Sequence, residues 1–62
     1  MSEEHRKYTL KTQIACVRRE LAVRKMVYPK WVEAGRMTAE AADHELHCMQ
    51  AVYDTLQNME QK

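Results

Sequence analysis

The chain has 62 residues with a formal net charge of +1, and it contains one glycine, one proline, one tryptophan and no phenylalanine. That length allows one domain at most, in a range where a single core is marginal without disulfides, metals or self-association. No apolar run approaches the roughly 18 residues of a membrane span, two cysteines are too few for a disulfide framework, and no secretory signal pattern is present, so the expectation is a soluble, cytoplasmic protein with reduced thiols.

Residues 1–8 are polar and aperiodic and are expected to be a flexible N-terminal segment, with His5 solvated. A single helical domain is expected over 9–59. Thr9 suits the N-cap of a first helix, although no Glu or Gln follows three residues later to complete a capping box. From there apolar residues recur at Leu10, Ile14, Val17, Leu21, Tyr28 and Trp31, the spacing of a helical seam with Arg24 in one slot. Arg24 is expected either to reach the edge of the seam with its stem on apolar neighbours or to face a carboxylate. An apolar residue of like size in its place is expected to stabilise the fold. Pro29 removes one helical hydrogen bond and crowds the preceding turn. Because the seam keeps its phase from Leu21 through Tyr28 to Trp31, the spacing predicts one continuous helix kinked near Pro29.

Gly35 takes a left-handed backbone at no steric cost and suits the end of that helix. Thr38 suits the start of the next, with Glu40 favoured in its first turn by the helix dipole. Stop, link and restart within four residues predict a helical hairpin. The second helix carries Ala39, Ala42, Leu46, Met49, Tyr53 and Leu56 at alternating intervals of three and four, and is expected to fray after about Asn58.

A second apolar stripe accompanies each seam. It contains Cys16, Val23 and Val27 on the first helix, and Ala41, Cys48, Val52 and Met59 on the second. An isolated hairpin buries one stripe per helix, whereas a pair of hairpins in a four-helix bundle buries both. The predicted fold is therefore an all-α antiparallel helical hairpin that dimerises into a four-helix bundle. Its predicted oligomer interface is Cys16, Val23, Val27, Cys48, Val52 and Met59. Charge is unevenly placed. Residues 1–36 carry nine Lys/Arg against four Asp/Glu, a balance of +5, and residues 37–62 carry one lysine against five acids, a balance of −4. Two oppositely charged helices that pair are the simplest account; a basic face for nucleic acid is the other.

Few residues suggest chemistry. His44 and Cys48 lie four apart on one helical face, but two side chains make an incomplete metal site, and no cofactor is expected. There is no phosphate-binding glycine loop or nucleophile elbow, and two helices are not expected to build a deep pocket. The cysteines read as apolar-stripe residues with inert buried thiols. The chain is therefore expected not to be an enzyme. Tyr28, Trp31 and Arg36 either close the end of the core or form a partner-binding surface, since aromatics and arginine are enriched at binding hot spots. Lys11, Arg18, Arg19, Lys25 and Lys30 are the candidate phosphate contacts of a nucleic-acid-binding alternative, with Arg18 and Lys25 on one edge and Arg19 further round.

The segments Ile14–Leu21, Val27–Val32 (Val-Tyr-Pro-Lys-Trp-Val) and Gly35–Thr38 (Gly-Arg-Met-Thr) together resemble a group of small bacteriophage and proteobacterial prophage proteins, over about Thr9 to Leu56. The resemblance brings no catalytic residues. It implies a bacterial cytoplasmic setting and a regulatory protein that binds a host protein; the homodimer is expected from the second stripe, and no membrane association from the lack of a long apolar run.

Overall fold

The computed structural model describes residues 8–61 and is all-helical, with no strand among them. Helix α1 spans Leu10–Glu33 and α2 spans Ala39–Gln61. The two lie side by side as a hairpin of 43 × 22 × 16 Å. The expected flexible segment lies outside the described residues except for Tyr8.

Both helices start where a threonine satisfies free amides. The Thr9 hydroxyl accepts from the Thr12 amide at 3.2 Å, and the Thr38 hydroxyl accepts from the Ala41 amide at 3.0 Å; each bond occupies one of the four donors a helix start leaves open. At α1 the Gln13 side-chain amide also reaches back and donates to the Tyr8 carbonyl at 2.7 Å, which ties down the entering chain without supplying the acceptor of a capping box.

Helix α1 ends on Ala34, and Gly35 follows with φ +74°. The left-handed step turns the Arg36 amide onto the Trp31 carbonyl at 2.9 Å and the Gly35 amide onto the Val32 carbonyl at 3.1 Å. These are the paired bonds of a Schellman motif, and they point the chain back along α1. Helix α1 runs unbroken through Pro29. Pro29 sits on the exposed side, where solvent can replace the donor it lacks.

The core is the seam between the helices: Ile14, Leu21 and Tyr28 from α1 and Ala42 from α2 are buried, and Leu10, Val17, Leu46, Met49, Tyr53 and Leu56 are half-buried beside them. Trp31 departs from its predicted seam position, being 40% exposed. At about 100° per residue, three residues beyond Tyr28 fall about 60° to one side of it and four fall about 40° to the other. Val32 therefore sits closer to the seam and is half-buried. Ala39 is likewise exposed. Helix α2 continues to Gln61, past the expected end near Asn58. The Gln57 amide donates to the Tyr53 hydroxyl at 2.8 Å, a brace four residues apart that supports the last turns.

No atom lies within 4 Å of a Cβ added at Gly35, so Gly35→Ala disturbs only the backbone. The expected cost is about 1 kcal/mol for a left-handed non-glycine residue, or a melting temperature lower by roughly 4–8 °C for a domain of this size. A thermal melt followed by circular dichroism checks it.

Candidate functional site

A layer of two helices has two broad outer faces. Taking about 100° per residue, Cys16, Glu20, Val27 and Trp31 fall on one flank of the α1 seam, and Glu45, Cys48, Val52 and Met59 on one flank of the α2 seam. Two observations place both flanks on the same side of the hairpin. Cys16 and Val17 line a common groove with Val52 and Leu56, and the Arg24 guanidinium lies 3.9 Å from the Glu45 carboxylate across the seam.

This face holds most of the predicted interface. Cys16, Val23, Cys48, Val52 and Met59 are exposed and Val27 is half-buried. Both thiols are free and exposed, as a second stripe is in a single hairpin, and among the described residues nothing lies over them. At the open end of the hairpin the face carries a groove of about 680 Å³, lined among others by Tyr8, Cys16, Arg19, Val52 and Leu56. The sequence reading missed this groove. Its signal was the run of short side chains Thr12, Ala15 and Cys16 on α1, which leaves space beside Val52.

At the turn end the same face carries Trp31. Its ring lies 5.7 Å from that of Tyr28, tilted by 34°, and the Arg36 guanidinium carbon stands 5.9 Å from the indole centroid. Tyr28 is buried. The Schellman turn brings Arg36 back over Trp31, where an apolar contact between these two positions usually sits, and a cation–π contact takes its place. Tyr28, Trp31 and Arg36 are thus contiguous, with Trp31 the part that projects.

The middle of the face is polar. Arg24 Nε donates to Glu20 Oε1 at 2.9 Å. That hydrogen bond holds the Arg24 guanidinium above its already high ordinary pKa, against the opposing effect of burial. A raised pKa contributes stability at all lower pH and loses it only as pH climbs through that value, so the arginine stays charged through neutral pH. Both sequence expectations for Arg24 meet here, since it lies at the seam's edge and faces a carboxylate.

The proposed phosphate contacts divide. Lys11, Arg18 and Lys25, seven residues apart, form a row on the opposite flank of α1, whereas Arg19 lines the apolar groove and Lys30 lies off the row. All five are exposed, and none forms an ion pair among the described residues. The expected pairing of oppositely charged helices reduces to the single Arg24–Glu45 approach. His47 Nδ1 lies 3.3 Å from Asp43 on its own helix, both well exposed. No three His, Cys, Asp or Glu side chains of the described residues come together to hold a metal, and no helix among them is long and apolar enough to cross a membrane.

No family model matches the chain, and comparison with curated proteins and with solved structures finds no match either.

The exposed Arg24–Glu20 pair is worth at most about 0.5 kcal/mol, while the arginine stem covers apolar seam residues. Arg24→Met is therefore expected to melt at or above the wild-type temperature. Arg24→Ala, which removes the stem as well, is expected to lose about 1 kcal/mol. Parallel urea titrations of the two variants separate stem from charge.

Proposed function

We propose that this is a non-enzymatic interaction protein of a phage or prophage, whose working form is two hairpins packed as a four-helix bundle, and that the pair binds a macromolecule of the bacterial host. The observation that carries the reading is the apolar face that crosses both helices. Val23, Trp31, Val52 and Met59 are each at least 40% exposed on it, and no described side chain is fully buried. Exposed apolar surface of this kind, here at both ends of the face around a polar centre, marks interaction sites. The broad side of the hairpin that carries it is 43 by 22 Å, large enough for the roughly 800 Å² per partner of a standard interface. Stacking a second copy on it gives the two apolar stripes of each helix the cover that one hairpin lacks. The phage and host setting comes from the Tyr-Pro-Lys-Trp-Val and Gly-Arg-Met-Thr elements of the sequence. Within the pair the opposite face, with its Lys11–Arg18–Lys25 row, stays open to the host partner.

Sedimentation equilibrium tests self-association. The expected result is twice the chain mass of 7.4 kDa at micromolar concentration, and a Val52→Glu variant that dissociates at least tenfold more readily, because a carboxylate is then buried without a partner. A single 7.4 kDa species up to millimolar concentration rejects the proposal.

The basic row supports a second reading, in which nucleic acid is the host macromolecule. Three phosphate contacts predict binding to duplex DNA whose log affinity falls with log salt at a slope of about −2.7, and Lys25→Glu is expected to weaken it at every salt concentration. Absence of a fluorescence-anisotropy change on labelled duplex at low salt eliminates this reading.

A further inference from the structure

We infer that two copies stack face to face and antiparallel, each inserting its Trp31 into the groove at the open end of the other. This rests on the self-association proposed above and specifies its geometry.

The argument starts from a knob and a hollow on one surface. Trp31 projects at the turn end, steadied by Tyr28 on one side and Arg36 on the other. The groove of about 680 Å³ lies at the open end of the same face. One hairpin cannot join them, because they sit at opposite ends of a rigid helix. A two-fold axis joins them when it crosses the face midway between them, since a two-fold interface is made by one patch meeting itself reversed. That midpoint is the level of Val23. Trp31 is eight residues after Val23 and Cys16 is seven before it, about 12 and 10 Å along the axis at about 1.5 Å per residue. A dyad crossing the face at the level of Val23 therefore carries each indole onto the partner's Cys16, Val17, Val52 and Leu56.

The alternative stack puts both turns at the same end, with α1 over the partner's α2. It would set Trp31 against the partner's Ala41 and Glu45, away from the open-end groove. The smaller hollow at the turn end of this face, about 290 Å³, is partly walled by Trp31 itself. A further turn-end hollow is lined by Val32, Ala39 and Asp43, on the opposite flank. The indole's match is the open-end groove.

The inferred dyad places one further pair. Across the seam Tyr28 lies by Ala42 and Leu46, and Val17 lies by Val52 and Leu56, so Val23 is level with Cys48. Cys48 thus faces the Cys48 of the second copy near the dyad, whereas the two Cys16 residues stand about 20 Å apart along the helices. In the turn-to-turn stack neither cysteine meets its own copy.

The test uses the full chain as Cys16→Ser and Cys48→Ser variants with a short bis-maleimide cross-linker, alongside sedimentation and the emission of the sole tryptophan. The expected result is covalent dimer from Cys16→Ser, which keeps Cys48, and little from Cys48→Ser. Trp31 emission is expected to shift to the blue as the chain associates, and Trp31→Ala to raise the dimer dissociation constant at least tenfold. A chain that sediments as a dimer but gives no Cys48 cross-link, or no emission shift, overturns the antiparallel stack and leaves self-association standing. A chain that stays monomeric defeats both, and assigns the face to some other occupant.

Discussion

A pair of helices has one inner seam and two outer faces, and the described residues form no third element to lay over either. The geometry limits what burial can contribute. Only Ile14, Leu21, Tyr28 and Ala42 are buried, and every other apolar side chain of the described residues keeps part of its surface in water. A core of that size is small against the conformational entropy of ordering two long helices. The polar and apolar character of the outer faces therefore matters as much to this protein as its interior. One face is mostly charged and the other mostly apolar, and only the apolar one has a reason to seek cover.

The turn is what gives that apolar face its shape. A left-handed Gly35 closes α1 with paired backbone bonds and returns the chain within a few residues, so α2 must run antiparallel. The same bonds bring Arg36 over Trp31. The tryptophan then stands beside the seam, held on its flanks, with its ring partly in water. At the far end no turn among the described residues closes the hairpin, and the short side chains of α1 leave a groove between them. Two ends of one face thus differ in relief, a ridge at the turn and a hollow at the termini, and that difference makes the surface directional.

Charge follows a separate logic. The excess of basic residues on α1 and of acids on α2 suggests mutual attraction, yet among the described residues only Arg24 and Glu45 approach across the seam. Charged side chains on the outer flanks of two neighbouring helices point away from one another, and water screens what remains. The asymmetry is left on the surface, where the Lys11–Arg18–Lys25 row is free to meet a partner. Near the middle of the apolar face, Glu20, Arg24 and Glu45 keep a polar island that any covering surface must satisfy.

Much of this was legible in the residues alone. Both N-cap threonines, the left-handed Gly35, the continuous α1 through Pro29 and the seam up to Tyr28 all follow from local rules, because each depends on bonds within a few residues of itself. Trp31 was placed one step too far into the seam, since a spacing of three or four is compatible with a contact but does not say on which side of the centre line it falls. Only the packed pair decided that Val32 turns in and Trp31 out, that both second stripes share one face, and that a hollow remains at the open end. Those facts depend on the relative rotation and level of two helices distant in sequence, and no local pattern encodes that relation.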